Sequence, residues 1–355
     1  MNRTPTVDVI VVAWNHARFV DALFDGLACM DYPREAVNVY IVDNASTDGT
    51  ADVIRARMDR DEDMPNVFFL PQEKNLGFAG GNNVVMEHTQ AEYVYLLNPD
   101  AAFEPSTLRK AVEIAESHSN AASVQSLLVL AQDPSTINSI GNDIHFAGHG
   151  YCRGYLQPRS FASADAASIA YASGAGALYR VSALRHVGLF DETLFAYHED
   201  LELGWRFLIA GYDNLLAVQS VLQHHYEFSR SISKWYLMER NRGIVVLTMY
   251  RWGTLLLLLP GLLAIELATW LFAIKGGWAS QKAKAIGWFF FPSSWGYLLR
   301  KRKEIARLRK RSDREILKHF VSGIEHQETN SSFMSRVANP LMKVYFGIVK
   351  ALVRW

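Results

Sequence analysis

Glu199 and Asp200 stand side by side at the start of an amphipathic stretch that runs on through Leu201, Glu202, Leu203, Gly204, Trp205 and Arg206. Adjacent carboxylates there have two uses. They can cap a helix and meet the positive end of its dipole. In a cleft, one of them can act as a general base whose proton affinity its neighbour raises by like-charge repulsion. Glu202 and Arg206 lie four apart on the same stretch and read as an i,i+4 structural pair.

Four other clusters fall where apolar runs end. Trp14-Asn15 closes the β-branched run 7–13, and an aromatic with an amide could hold a nucleobase, although Asn in that place is also a common turn residue. Asp43 follows the run 37–42; Asp48 can cap the next helix, which leaves Asp43 free to accept hydrogen bonds from a base imide or a ribose hydroxyl. Asn75, Gly77, Gly80 and Gly81 precede a helix, where glycines admit close backbone approach and amide groups favour anions. No GK[ST] follows, so this is no Walker loop. Asn98-Pro99-Asp100 follows the apolar run 93–97, and Asp100 there either makes a plain turn or helps hold a divalent cation against diphosphate oxygens.

Such clusters need a scaffold. The runs 7–13, 37–42, 67–70 and 93–97 read as strands, with helical patterns over 17–29 and from Asp48 onward. Repeated βα units predict an α/β fold with a mostly parallel sheet and flanking helices, and ligands bound beyond the carboxyl ends of the strands. Residues 120–180 read as less regular, with loops over a cleft, and 182–187 and 199–210 as helices.

Lys+Arg and Asp+Glu are equal at 36 each in a chain of 355 residues, so bulk charge gives no pull toward nucleic acid. Cys29 and Cys152 carry no metal spacing and no disulfide framework, which suits a reducing compartment. The first apolar run is short and interrupted by Asp8, so it reads as a strand and not a signal peptide, and a cytoplasmic first domain is expected. Near residue 245 the character changes. The stretch 252–274 is apolar with one charge, Glu266, and a Pro260-Gly261 break; 286–299 is shorter and holds Pro292. Cations flank both, 300–318 is strongly basic, and 340–355 mixes apolar residues with Lys343, Lys350 and Arg354. These features predict a domain over 1–245 and a helical, membrane-associating region over 246–355. That region would be interfacial or re-entrant on the cytoplasmic side and drawn to anionic lipid; a buried helix of an accessory domain is the other reading.

The clusters, taken in order, resemble family 2 glycosyltransferases of the GT-A fold, in their rhamnosyltransferase-like branch, over about residues 5–245. The motifs are WN (14–15), VDNASTDGT (42–50), NLGFAGGNN (75–83), LLNPD (96–100), SGAGALYR (173–180), FDETLFAYHEDLELGWRFLIAGY (190–212) and HHYEFS (224–229) with ERN (239–241). The resemblance implies an inverting transfer from a dTDP- or UDP-linked sugar to a hydroxyl of a glycan or lipid-linked acceptor in surface polysaccharide synthesis. It implies Asp200 as base with Glu199 beside it. Asn15, Asp43, Asn75, Gly77, Gly80, Gly81, Asn98 and Arg240 would lie along the nucleotide sugar. Gly174, Gly176 and Trp205 would lie on the acceptor side, Trp205 by packing or by lining the pocket. Asp100 and His224, with His225 an adjacent candidate, would hold Mg2+ or Mn2+. A nucleotidyltransferase would want a lysine-rich glycine loop near 13–19, where none stands, and a non-catalytic binding protein would lack the carboxylates at 100 and 200.

Overall fold

The computed structural model describes residues 3–61, 64–162, 165–226, 233–323 and 334–355. They form two compact units. The first comprises Met1–Asn142, Cys152–Phe207 and Tyr212–Glu227; the second comprises Asp143–Tyr151, Leu208–Gly211 and Phe228–Trp355. The helix over 233–249 falls in the second unit, where it packs with the C-terminal helices.

The first unit is built on one sheet. Its strands are β1 (Val7–Ala13), β2 (Val37–Asp43), β3 (Asn66–Pro71), β4 (Tyr93–Leu97), β5 (Ala101–Phe103), β6 (Ala121–Leu130) and β7 (Asp133–Ser139). After β8 (Asn142–His145) and β9 (Gly150–Cys152) come β10 (Ala167–Ile169), β11 (Gly176–Arg180) and β12 (Asp213–His224). The main order is β10-β12-β6-β11-β4-β1-β2-β3, with β5 on β12 and β7 on β6. β4, β1, β2 and β3 pair in parallel, as the repeated βα pattern predicts. β11 runs antiparallel between β4 and β6, and β6 pairs in parallel with β12, so the sheet as a whole is mixed.

Helices cover both faces: α1 (Val20–Ala28), α2 (Thr50–Arg60), α3 (Gly77–Met86), α4 (Thr107–Ser117), α5 (Val181–Val187) and α6 (Glu199–Ile209). α1 buries Val20, Leu23, Phe24 and Leu27, one stripe at helical spacing, onto a core shared with Val9, Val39 and Tyr95. The region expected to be irregular holds β6, buried along all ten residues. Its sequence hides it because Ser123, Gln125 and Ser126 sit inside. Each is paired at long range: Ser123 Oγ donates to Asn214 Oδ1 (2.7 Å), Gln125 Oε1 accepts from the Ser173 amide (2.8 Å), and Ser126 Oγ meets the Tyr95 hydroxyl (2.6 Å).

The second unit is mainly helical, with α7 (Ser233–Met249), α8 (Trp252–Lys275), α9 (Ala279–Trp288), α10 (Pro292–Leu308), α11 (Asp313–Ile316) and α12 (Asn339–Leu352). β13 (Phe320–Val321) joins β8 and β9 in a small sheet. Among the described residues α8 is the one helix long and apolar enough to cross a membrane by length and composition. The basic stretch 300–318 is partly turned inward. Arg302 donates to the Leu247 carbonyl and stacks on Trp252, and Arg309 pairs with Asp313 at 2.7 Å.

Candidate active site

The candidates of the first unit gather at the carboxyl ends of the parallel strands. β1 ends in an exposed Trp14 and in Asn15, whose φ of 59° turns the chain sharply. Asn15 laces this turn to the one after β2: its amide donates to Ser46 Oγ (2.9 Å) and its Oδ1 accepts from the Thr47 amide (2.8 Å). Its side-chain oxygen is thus used by the protein. Asp43 is different. It is 4% exposed, its Oδ2 accepts from the Ser46 amide at 3.3 Å, and its Oδ1 is buried without a partner. A buried carboxylate oxygen left open in this way costs stability unless a ligand supplies the missing donor.

The glycine loop serves packing as well as approach. A Cβ on Gly81 would lie 2.6 Å from Val12 Cγ1 of β1, and Gly77, at φ 73°, has room only for the Phe195 carbonyl, 2.4 Å from where its Cβ would be. A Cβ on Gly80 would likewise lie 3.0 Å from Leu76 Cβ. Asn75 Oδ1 accepts from the Gly77 amide (2.8 Å), and the Ala79 amide in the first turn of α3 donates to Phe195 O (3.0 Å). Further along α3, Asn83 Nδ2 donates to Phe190 O and to Glu192 Oε1, both at 3.0 Å. α3 is therefore fastened to the segment 190–195 that leads into α6.

Beyond β4, Asn98 and Asp100 face His224 at the end of β12. His224 Nε2 is 3.4 Å from Asp100 Oδ1 and 3.4 Å from Asn98 Nδ2, while its Nδ1 donates to Asn138 Oδ1 at 2.9 Å. With the proton on Nδ1, the neutral ring turns a lone pair on Nε2 toward Asp100, whose Oδ1 is buried without a hydrogen-bond partner. Two acceptors facing each other fit a divalent cation between them. Among the described residues no group of three or more His, Cys, Asp or Glu side chains gathers for a metal, so further ligands would come from the substrate or from water. Burial pushes the Asp100 carboxyl upward, whereas a charged His224, and after it His16, would hold it below its ordinary value. Of the two adjacent histidines, His225 instead donates its amide to Asp100 O (2.9 Å) and its ring lies on Phe19. Ser229 of the same motif lies outside the described residues.

His16 and Asn138 were not singled out by sequence. His16 follows a turn residue, and its nearness to Asp100 arises only because β1 and β4 are sheet neighbours. Burial, the largest influence, lowers its basicity. Asn138 sits in an unremarkable polar run, and its role as partner of His224 depends on β7 folding back on β6.

Glu199 and Asp200 open α6 after a strained approach: Phe195, Tyr197 and His198 all take left-handed φ values of 65–68°. Asp200 Oδ2 accepts from the Gly174 amide (3.3 Å) and Oδ1 from the Leu201 amide (2.7 Å). One residue past Gly174, the Ala175 carbonyl accepts from the Asn98 amide (3.0 Å), so a two-residue link joins the base candidate to the Asn98–Asp100 turn. Burial raises the Asp200 carboxyl to about 6, against which the amide bonds pull. Glu199 is 6% exposed, with Oε2 unpartnered, and burial followed by the Asp200 charge raises its carboxyl well above the ordinary range.

Trp205, Gly176 and Arg240 are each placed by their own elements. Trp205 is 1% exposed and packs in the core, as do all the residues of 201–210 around it. Gly176 lies within β11 against Leu222 and Leu128. Arg240 belongs to the second unit, on α7, where its guanidinium donates to Asn241 Oδ1 (2.8 and 3.0 Å) and stacks on Tyr236. The Glu202–Arg206 pair forms at 2.6 Å, and Arg206 also holds the carbonyls of Val187, Gly188 and Leu189.

This arrangement is that of the GT-A glycosyltransferases. The structure superposes on the mannosyltransferase PcManGT of Pyrobaculum calidifontis, solved with GDP-Man and Mn2+, with TM-score 0.55 and 17% identity over 86% of each chain. It also superposes on S. aureus TarS 1-349 in complex with UDP, with TM-score 0.51 and 15% identity over 98% of this chain and 88% of that one. Residues 8–188, just over half of the chain, match the glycosyl transferase family 2 model. The chain belongs to glycosyl transferase family 2 and is a glycosyltransferase. It is similar to the N-acetylglucosaminyl-diphospho-decaprenol L-rhamnosyltransferase of Mycobacterium tuberculosis, at 25% identity over 245 residues, covering 62% of this chain and 76% of that one. That likeness places it in the rhamnosyltransferase-like branch. A putative teichuronic acid biosynthesis glycosyltransferase of Bacillus subtilis, TuaG, is 28% identical over 137 residues, or 39% of this chain and 52% of that one.

Proposed function

We propose that the protein transfers a sugar, with inversion, from a UDP- or dTDP-linked donor to a hydroxyl of a glycan or lipid-linked acceptor in surface polysaccharide assembly. The observation that carries this reading is Asp200, a buried carboxylate raised to about 6 and held by two backbone amides. A base of that strength is ionised at neutral pH yet takes up a proton more readily than an exposed aspartate. As the acceptor oxygen bonds to the anomeric carbon, its proton passes to Asp200, and the anomeric carbon–oxygen bond breaks with its electron pair leaving on the diphosphate. Glu199 beside it keeps proton affinity in the pair high. Asp43 would accept from the base imide, which uridine and thymidine present alike.

Asp100 Oδ1 and His224 Nε2 would hold Mg2+ or Mn2+, which when bound neutralises charge on the leaving diphosphate. The Mn2+ in the superposed mannosyltransferase supports that reading. A lipid-linked acceptor is favoured by the name of the mycobacterial relative and by the apolar helix α8, and we place the work at the cytoplasmic face of a membrane. The test is Asp200→Asn assayed with UDP- and dTDP-sugars. Turnover should fall at least ~10²-fold with donor affinity nearly unchanged. Turnover like that of the unaltered protein would sink the assignment.

A further inference from the structure

The second unit presents apolar side chains outward in two aligned rows. On α8 these are Leu256, Leu259, Leu263, Leu267 and Leu271, of which Leu256 is 71% exposed; on α12 they are Leu341, Val344, Ile348 and Leu352. Both rows step by three and four residues, so each is one helix face. The helices are pinned together. The Tyr345 hydroxyl of α12 donates to Leu257 O (2.7 Å) and accepts from the Gly261 amide (3.2 Å), entering the α8 ladder where Pro260 interrupts it. Trp355 donates from Nε1 to Thr254 Oγ1 (3.0 Å), so α12 runs antiparallel to α8.

Length alone would let α8 cross a bilayer, since 24 residues at ~1.5 Å each exceed a ~30 Å hydrocarbon core. Its one carboxylate argues otherwise. Glu266 lies past the middle of α8 and pairs with Arg242 of α7 (2.7 Å) and Lys282 of α9 (2.8 Å). Lys282, with a fully enclosed side chain, also holds Glu239 of α7 at 2.6 Å. Crossing would carry this network and the polar helix α7, with Glu239, Arg240, Asn241 and Arg242, to bilayer depth, where charge is expensive. Lying flat leaves α7 and α9 on the water side. The outer surface is suited to that pose: Trp252, Trp295 and Trp355 are partly exposed, as at a headgroup boundary, and Lys275, Lys284, Lys343, Lys350 and Arg354 are exposed around it. α12 carries no carboxylate at all.

We propose that α8 and α12 form one docking face that lies along a single leaflet of anionic phospholipid, with both ends of α8 on the same side of the bilayer. This rests on the membrane placement given above. The test adds full-length protein, with Cys29→Ser, to preformed vesicles containing phosphatidylglycerol or phosphatidylcholine alone. Binding should favour the anionic vesicles and weaken as salt rises. In bound protein, Arg251→Cys and Ser280→Cys should both label with a membrane-impermeant maleimide, whereas Leu263→Cys and Ile348→Cys should be shielded. If one end of α8 is shielded as well, the helix crosses and the proposal fails while membrane placement stands. If no vesicle binds, both fail. A soluble dimer that shields Leu263 and Ile348 without lipid would give the face to a second copy and overturn the proposal. A combined Leu263→Gln, Leu267→Gln and Ile348→Gln variant should bind vesicles at least ~10-fold more weakly, with unaltered thermal unfolding confirming its fold.

Discussion

In the first unit Asp43, Asp100 and Glu199 each keep a buried carboxylate oxygen without a hydrogen-bond partner, whereas in the second Glu239, Glu266, Arg242 and Lys282 face opposite charges at 2.6–3.0 Å. Both regions take charge out of water, and both incur the desolvation cost. The second network recovers part of it through its own ion pairs, as the Glu202–Arg206 pair does in the first unit, although Glu266 Oε1 and Arg242 Nε make no hydrogen bond. The first leaves the balance open at the strand ends, where a donor nucleotide, a cation and an acceptor hydroxyl can supply what is missing. A buried charge that is paired holds architecture together; a carboxylate oxygen left unpaired near the strand ends is open to a ligand.

The sharpest way to break this contrast is to remove the cation. Excess EDTA should abolish sugar transfer, and Mn2+ or Mg2+ should restore it; full activity under chelation would remove the metal from the scheme. Next in size is the paired network. Lys282→Met leaves Glu239 and Glu266 with Arg242 alone, and denaturant unfolding should show a loss of about 3–5 kcal/mol, partly recovered by adding Glu239→Gln. Asp200→Asn should act in the opposite direction. The folded carboxyl titrates near 6, above the 3.8 of an ordinary aspartate. This group therefore favours the folded state most at low pH, and that advantage is lost as pH rises from about 4 through 6. Removing the charge should accordingly raise stability at pH 8, on the order of 1–3 kcal/mol. In the unaltered enzyme the same titration should make the rate fall as pH drops below about 6. A flat profile from pH 5 to 8 would show that another group is the base. Smallest is Asn138→Ala, which frees the His224 ring and should weaken Mn2+ binding by about 10–100-fold, read by titration calorimetry with donor present.

Much of this was legible in the residues. β1 and β2 are apolar runs broken within by Asp8 and Asn38 and β4 is unbroken, and they end at or just before Asn15, Asp43 and Asp100. The Glu199-Asp200 pair likewise announced itself. What stayed hidden depends on partners distant in the chain. β6 reads as irregular because its buried Ser123, Gln125 and Ser126 find their partners at Asn214, Ser173 and Tyr95. Asn138 and His16 carry no signal until the sheet sets them beside His224 and Asp100. Trp205 shows the limit of such reading: an aromatic near two carboxylates suggests a pocket or plain packing, and its burial follows from a helix enclosed all round from 201 to 210, where Glu202 and Arg206 are also buried.

The fastening of α3 to residues 190–195 has a practical consequence. Ala79, Asn83 and the space above Gly77 are all taken up by the segment that delivers Glu199 and Asp200. If, as proposed, the glycine helix holds the donor and Asp200 is the base, redesigning that helix for a different donor will also move the base. Changes of sugar preference made there should arrive with changes of rate, and the two properties will have to be selected together.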